Sequence, residues 1–272
     1  MRVHHLECGG IDPLGGEWLW GMDLVIHCLL IEHDTGLTLV DTGLGQQAAR
    51  DPAAWLGRAW CGVFRPDPDI AGSALAQVES LGYHRDDVRD IVLTHLDLDH
   101  AGGLADFPNA RVHVFENELR AMEFPRGIGE TQRYRTPQLR HGPRWRLHAE
   151  GGDTWFGFTG ARTLPGIPEE IVLVPLAGHS RGHAGVAVRT GDSWLLHAGD
   201  AHFGQLGRPG DIERPWVVAA FEAFAAADGK ARRHNWERLC ELAHDHADEV
   251  TVFSAHSGPE LRALRARARA LA

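Results

Sequence analysis

Apolar residues along this chain are arranged in two ways, as short continuous runs and as repeats spaced three or four residues apart. The continuous runs predict β-strands. They cover residues 24–32, 37–41, 91–94, 111–115, 171–176, 185–190, 193–198 and 249–253. The segment 33–36, His-Asp-Thr-Gly, separates the first two runs and predicts a hairpin turn.

Helical spacing is clearest in residues 69–81, where five apolar residues recur on one side of a helix. Helices are also predicted at about 215–226, at about 231–246 and from about Pro259 onward. Between the two halves, residues 124–168 are rich in Pro, Gly, Arg and Trp. We interpret that stretch as an irregular excursion over the surface.

The order of these elements predicts an α/β protein. Strands, a helix and two strands are followed by strands, helices, a strand and a last helix. Such an order suggests two β-α halves whose sheets pack face to face with helices outside. A length of 272 residues suits one large domain or two small ones, and 43 % hydrophobic residues are enough for a sizeable core.

Charge and cysteine content narrow the functional classes. A formal net charge of −10 repels nucleic-acid phosphates. The four cysteines form no C-x-x-C pair, so neither a disulfide scaffold nor a thiolate zinc site is expected. The first 16 residues lack the apolar core of a signal peptide, and no apolar stretch is long enough to span a membrane. We therefore expect a cytoplasmic protein without nucleic-acid or membrane partners.

The chain has 18 histidines, and one segment places several of them beside aspartates. Residues 94–103 read Thr-His-Leu-Asp-Leu-Asp-His-Ala-Gly-Gly, directly after a predicted buried strand. In an extended chain His95, Asp97 and Asp99 point to one side, while the leucines between them point into the core. His100 follows at a turn, and the two glycines let the backbone pass close beneath. Four candidate ligands of the kind that Zn, Mn and Fe prefer thus lie on one rim.

This segment resembles the H-x-H-x-D-H signature of the metallo-β-lactamase superfamily, with Asp97 in place of the second histidine. Other landmarks of that family occur in the family's order. They are Asp41 in Val-Asp-Thr-Gly, His179 in Gly-His-Ser-Arg-Gly-His, Asp200 in His-Ala-Gly-Asp and His256 in Ser-Ala-His-Ser. The resemblance extends from about residue 24 to 258 and implies the family's αββα four-layer sandwich, as one domain of residues 1–272.

Carried over position by position, the resemblance implies a centre for two metal ions. The ligands would be His95, Asp97 and His179 for one ion and Asp99, His100 and His256 for the other, with Asp200 as the bridge. A hydroxide between the ions would attack a carbonyl or phosphoryl centre. Asp99 would pass a proton to the leaving group, so Asp99 and Asp200 are the catalytic candidates.

The aspartate at position 97 changes the charge of this centre. With only Asp99 and Asp200 as carboxylates, two dications would keep a formal charge of +2; with Asp97 ionised the charge falls to +1. Oxygen ligation also moves the preference toward harder ions. Zinc is therefore expected, with manganese or iron open because of Asp97.

A purely structural role is the alternative for the same residues. Burying so many polar groups together without a metal would be costly. Asp41 is expected to orient a ligand rather than bind metal, and His183 to have a structural or supporting role. The remaining histidines considered are expected to be ordinary strand or surface residues: His4, His5, His27, His113, His244 and His246.

Aromatic and basic residues outside the motifs remain open to two interpretations. The aromatic residues could line a substrate pocket, or belong to the core or to a dimer contact. They are Trp55 and Trp60 in a predicted loop after Asp41, and Trp145, Trp155, Phe156 and Phe158 in the excursion. The basic residues could bind an anion but are interpreted as solvated surface: Arg133, Arg135, Arg140 and His141.

The resemblance is nearest to the branch of acyl-homoserine lactonases, which implies hydrolysis of a lactone or a small acyl ester. That branch has a tyrosine three residues after the bridging aspartate, where this chain has Phe203, with His202 beside it. Three alternatives stay open: a thioester hydrolase resembling glyoxalase II, an iron-dependent oxidoreductase or dioxygenase, and a non-catalytic metal-binding protein. The expected partner is a small-molecule substrate, and a homodimer is left open.

Overall fold

The computed structural model describes residues 1–206 and 215–270. Thirteen strands in these residues form two mixed sheets. The first sheet has the order β4-β1-β2-β3-β5-β6-β7 and the second β13-β12-β11-β10-β9-β8. The strands are β1 Arg2–Ile11, β2 Leu24–His33, β3 Gly36–Val40, β4 Pro66–Asp67, β5 Val88–Val92, β6 Arg111–Phe115, β7 Arg144–His148, β8 Asp153–Trp155, β9 Phe158–Thr163, β10 Ile171–Pro175, β11 Ala184–Thr190, β12 Ser193–His197 and β13 Val250–Phe253.

Ten α-helices in the described residues connect and cover these strands. Those of the first half are α1 Gly16–Trp20, α2 Gly45–Arg50, α3 Pro52–Leu56, α4 Arg58–Phe64, α5 Ala74–Ser80, α6 Glu116–Glu123 and α7 Gly127–Arg133. Those of the second half are α8 Trp216–Ala225, α9 Gly229–Asp245 and α10 Gly258–Ala270. In the described part of the chain, no helix is long and apolar enough to cross a membrane.

The strand β2 shows why the molecule has four layers. Its residues from Leu24 to Ile31 are all buried, as expected for a strand covered on both faces. Leu29 and Ile31 pack between the two sheets, whereas Cys28 and Leu30 pack on the opposite face in the cluster that contains the apolar residues of α5. On the outer face of the second sheet, a further cluster includes apolar residues of α9. The predicted αββα sandwich is therefore confirmed.

The predicted strands and late helices are confirmed, but three predictions about the connections are wrong. The helix predicted over 69–81 begins only at Ala74, because the side chain of Ser73 accepts a hydrogen bond from Ala76 and caps it. The predicted loop after Asp41 contains three short helices. Residues 124–168 include α7 and the edge strands of both sheets, so they are a crossover between the sheets rather than an irregular surface excursion.

Strand direction brings the candidate residues to one rim. Strands β3 and β5 are parallel neighbours in the first sheet, and β12 and β13 are parallel neighbours in the second. Since parallel strands end at the same edge, the segments that follow each pair lie side by side. Asp41 and residues 94–103 follow the first pair, while Asp200 and His256 follow the second.

Candidate metal centre

The segment after β5 has the alternation that its sequence predicts. Leu96 and Leu98 are buried in the apolar cluster beneath α5, and the candidate ligands between them face the rim. Gly103 is needed at the end of the segment, because a Cβ there would lie 2.5 Å from the carbonyl oxygen of Thr42. The close passage of this backbone beneath the site, expected from the two glycines, is thus observed.

A first group of candidate ligands, called here the first group, consists of His95, Asp97 and His179. One ligand atom from each lies within 4.8 Å of the others. The Oδ2 atom of Asp97 is 3.0 Å from Nε2 of His179 and 3.4 Å from Nε2 of His95. The loop between β10 and β11 provides His179, so both sheets contribute to this group.

The second group consists of Asp99, His100 and His256. The Nε2 atoms of His100 and His256 face each other at 3.3 Å. The Oδ2 atom of Asp99 is 3.5 Å from the His256 nitrogen and 3.9 Å from the His100 nitrogen. Again one side chain comes from the end of the second sheet and two from the end of the first.

Asp200 lies between the two groups and presents one oxygen to each. Its Oδ2 atom is 3.5 Å from Nε2 of His179 and 3.9 Å from Nε2 of His95. Its Oδ1 atom is 3.2 Å from the Nε2 atoms of both His100 and His256. A single carboxylate is therefore placed to serve two sites at once.

Several polar atoms of this cluster are better suited to binding metal ions than to hydrogen bonding with one another. Nε2 of His95 is buried and has no hydrogen-bond partner among the described residues. Oδ1 of Asp200 has two imidazole nitrogens at 3.2 Å, but neither has the geometry of a good hydrogen bond. Buried polar atoms are normally satisfied, and an unsatisfied group calls for an explanation such as a bound ion. Converging imidazole nitrogens and carboxylate oxygens are the donors that Zn²⁺, Mn²⁺ and Fe²⁺ bind. The residues present thus fit two divalent ions.

The outer nitrogens of three histidines are held so that Nε2 faces the centre. Nδ1 of His100 donates to Oδ2 of Asp41 at 2.8 Å, and Nδ1 of His256 donates to the carbonyl oxygen of Val25 at 2.8 Å. The Thr94 hydroxyl donates to Asp41 at 2.7 Å and accepts from Nδ1 of His95 at 2.9 Å. These bonds fix the ring tautomers and leave the Nε2 lone pairs directed inward.

Asp41 and His183 have the contacts of supporting residues. Asp41 is almost fully buried and also accepts from the backbone N–H of Thr94 at 2.8 Å. His183 belongs to neither group, since its Nε2 accepts from the backbone N–H of Asp200 at 2.9 Å and its Nδ1 donates to Leu176 at 3.2 Å. Burial first, and then the neighbouring His95, lower the pKa of His183 well below its usual value, which favours the neutral ring that accepts this bond.

Arg133 does not lie in solvated surface, and that prediction is wrong. Its side chain is only 12 % exposed, because α7 places it against the first group. Its Nε lies 3.4 Å from Oδ1 of Asp97, and Nη1 donates to the backbone carbonyl of His179 at 2.6 Å. Burial by itself raises the pKa of Asp97, but Arg133, followed by the nearby histidines, outweighs that effect and holds the pKa well below the usual range. Arg140, by contrast, is exposed as expected.

Glu118 on α6 is a supporting residue that no sequence motif indicated. It is fully buried, and four donors are directed at its two oxygens. Oε1 accepts from the N–H of Leu96 at 3.0 Å and from the hydroxyl of Tyr134 at 3.4 Å, while Oε2 accepts from Ser180 at 2.6 Å and Gly182 at 3.0 Å. Glu118 therefore joins the loops that carry the first group. A glutamate at a helix start gave no signal of this role.

The aromatic residues divide between core and rim. Trp155 and Phe158 are buried in the cluster on the outer face of the second sheet, so they are core residues. Trp55 donates from Nε1 to the carbonyl of Gly102 at 3.1 Å, beneath the site. Phe203 stacks on the His256 ring, with centroids 5.1 Å apart and planes 8° from parallel, and packs against further aromatic residues toward the surface.

Comparison with known proteins agrees with this geometry. The sequence profile of the metallo-β-lactamase superfamily matches residues 21–252. A probable metallo-hydrolase of Mycobacterium tuberculosis is 41 % identical over 263 residues, which is 96 % of this chain and 81 % of the relative. The N-acyl homoserine lactonase AttM of Agrobacterium fabrum is 29 % identical over 235 residues, which is 86 % of this chain and 82 % of AttM.

Solved structures show the same fold. An N-acyl homoserine lactone hydrolase with its product N-hexanoyl-L-homoserine at the catalytic metal centre superposes with a TM-score of 0.71. That comparison covers 96 % of this chain and 95 % of the hydrolase at 20 % identity. The fold and the site define a metallo-hydrolase, and the chain belongs to the metallo-β-lactamase superfamily. Within that superfamily it is a metal-dependent hydrolase related to the lactonases.

Proposed function

We propose that the chain is a binuclear hydrolase that opens lactones or cleaves small acyl esters. The single observation that carries this proposal is Asp200, whose two carboxylate oxygens face two separate groups of ligands. A mononuclear site would not need a carboxylate shared in this way. Since both sheets supply ligands, the whole chain would act as one catalytic domain.

Each ligand has a defined place in this proposal. The first group, His95, Asp97 and His179, would hold one ion, and the second group, Asp99, His100 and His256, would hold the other. Two divalent ions bound here would polarise the substrate carbonyl and lower the pKa of water. Zinc is the first choice, and Asp97 keeps manganese and iron in consideration because carboxylate oxygen suits harder ions.

Asp99 is the residue proposed to move a proton. Its Oδ2 atom is 3.5 Å and 3.9 Å from the two histidine nitrogens of its group, farther than those nitrogens are from each other. Its side chain is 12 % exposed at the rim. It can therefore reach a substrate entering from solvent. An aspartate in this position would hold the proton that the leaving oxygen of the ester needs. Thr94 and Asp41 would keep the imidazole rings oriented meanwhile.

The substrate class is proposed from the relatives and from the aromatic rim. The chain is similar to N-acyl homoserine lactonases along most of its length. Phe203 lies against His256, where its ring provides an apolar surface beside the second group. It lacks the hydroxyl of the tyrosine that the lactonase branch has there. We therefore expect lactone hydrolysis that proceeds without the tyrosine hydroxyl that would assist the substrate carbonyl.

One observation favours a second candidate, an iron-dependent oxidoreductase. Asp97 gives the first group an additional oxygen donor, and oxygen donors raise the relative preference for iron. A thioester hydrolase and a metal-binding protein without turnover are further outcomes that the same experiment distinguishes.

The experiment is elemental analysis of protein purified without added metal, followed by a substrate panel. About two zinc or manganese ions per chain, with turnover of lactones above thioesters, is the expected result. Asp200→Ala is the inactive comparison, and His246→Ala, which removes an exposed histidine far from the site, is the matched control. Mostly iron with oxygen consumption would favour the oxidoreductase. Absence of metal, both before and after titration, would overturn the proposal.

A further inference from the structure

We propose that Arg133 is a positioning residue that makes Asp97 effective as a ligand by supplying the positive charge that the carboxylate removes from the centre. This inference rests on the proposed binuclear function. It concerns the one position at which the chain departs from the H-x-H-x-D-H pattern. Asp97 and Arg133 would form a functional pair, in which each residue contributes to metal binding only when the other is present.

The position of Arg133 supports a specific pairing. It is the last residue of α7, and it extends from the crossover segment toward the first group. Nε faces Asp97, Nη1 donates to the backbone of His179, and Nη2 donates to the carbonyl of Ala225 at the end of α8. Two of the three residues of the first group are therefore contacted by one guanidinium.

The formal charge of the site explains why Asp97 would need a cationic partner. Two dications with three carboxylates, Asp97, Asp99 and Asp200, keep a formal charge of +1, whereas a histidine at position 97 would keep +2. The buried guanidinium of Arg133 restores +2 within the immediate surroundings. A centre of that charge retains its strength as a Lewis acid while using an oxygen donor. Removing one partner of such a buried pair leaves an uncompensated charge, which is costly.

The fork of the guanidinium explains why this position has arginine. All three nitrogens are used, one toward the carboxylate and two on backbone carbonyls from separate segments. The Ala225 carbonyl lies at a helix C-terminus, where a cation is favourable. A lysine has the charge but a single nitrogen, so it would keep the electrostatic effect and lose part of the geometry.

If Arg133 only connects α7 to α8, a double-mutant cycle with Asp97 should give a different result from the one expected for a positioning residue. If Arg133 serves Asp97, then removing the arginine is harmful beside Asp97 and favourable beside a neutral histidine. If Arg133 only connects the two helices, then its removal is harmful in both backgrounds. The sign of the effect in the second background therefore distinguishes the two roles.

The test is a zinc titration of the metal-free protein, with two sites resolved, on Arg133→Met, Arg133→Lys, Asp97→His and Asp97→His/Arg133→Met. We expect Arg133→Met to raise the Kd of one zinc site by about 10- to 100-fold, the range for residues behind metal ligands. Arg133→Lys should recover part of that loss. The double variant should bind zinc more tightly than Asp97→His alone, because its neutral imidazole no longer faces an unpaired buried cation.

The matched control is Arg181→Gln, which removes another arginine that contacts α7, but one that pairs with Glu130 rather than with Asp97. It should keep both zinc sites. Binding of two zinc ions by wild type with an unchanged Kd in Arg133→Met would overturn the inference and leave the proposed function intact. A double variant that binds no better than Asp97→His would also overturn it. If wild type itself bound no zinc, the proposed function would fail instead. If Arg133→Met does not fold, zinc binding by Arg133→Lys and by the double variant still tests the inference.

Discussion

The two groups of candidate ligands have opposite electrostatic surroundings. In the first group a carboxylate candidate, Asp97, has a cation, Arg133, behind it. In the second group an imidazole candidate, His100, has a carboxylate, Asp41, behind it at 2.8 Å. Each of these two candidates thus has a partner of complementary character outside it. The charge of the site therefore depends on these pairs as well as on the candidate ligands themselves.

The two groups also differ in how they are held in place. Asp41 contacts the His100 side chain directly and reaches His95 only through the Thr94 hydroxyl. Glu118 contacts no candidate ligand and instead accepts bonds from the loops on either side of the first group. The His100 ring is therefore oriented by a carboxylate side chain, whereas Glu118 holds the backbone on either side of the first group. Four substitutions test this difference between the two groups.

The largest effect is expected for Asp200→Ala, since this residue faces both groups. We expect loss of both ions and a fall in activity of more than about a hundredfold, beyond the range for residues behind the ligands. Metal content per chain and hydrolysis rates measure the two effects. Wild-type metal content in this variant would show that Asp200 is not a bridge.

Glu118→Gln should affect the first group and the fold together. The amide would present an N–H₂ group to donors that now face an oxygen, so a buried donor loses its partner. We expect the free energy of unfolding to fall by about 1–3 kcal/mol and one ion to be lost before the other. Denaturant unfolding with and without zinc measures this. Equal weakening of both ions would contradict the assignment of Glu118 to the first group.

Asp41→Asn should act mainly on the second group. The amide keeps the shape of the side chain, but it cannot accept all three bonds that Asp41 now accepts. We expect one zinc site to weaken by about 10- to 100-fold with a smaller change at the other. A two-site zinc titration checks this. A larger loss at the first group would show that Asp41 acts mainly there.

His183→Ala should have the smallest effect on metal. Its ring supports the backbone N–H of Asp200 and contacts no ion in the proposed arrangement. We expect most of the metal to remain, with a loss of about 1–3 kcal/mol in the free energy of unfolding from the unsatisfied N–H. Elemental analysis and thermal unfolding measure both quantities. Loss of both ions would identify His183 as a ligand instead.

Much of the fold followed from local patterns. The run over residues 24–32 and the helix near 231–246 are long and regular enough to be recognised without tertiary information, and both are observed. The three short helices after Asp41 were missed because each has only five to seven residues. Residues 124–168 were misjudged because β7, β8 and β9 are short strands at or next to the sheet edges, and the pairing of β7 with β6 depends on a neighbour distant in sequence.

Which side chains approach one another at the rim follows from the order of residues within one segment. Alternation in an extended segment places His95, Asp97 and Asp99 on one side regardless of the rest of the molecule. The residues behind them depend on tertiary packing. Arg133 and Glu118 belong to helices with no motif. The contacts of Arg133 with the first group, and of Glu118 with the loops that carry it, arise from the packing of separate segments. Local geometry is encoded within a few residues, whereas the charge balance of a buried site depends on every chain segment that encloses it.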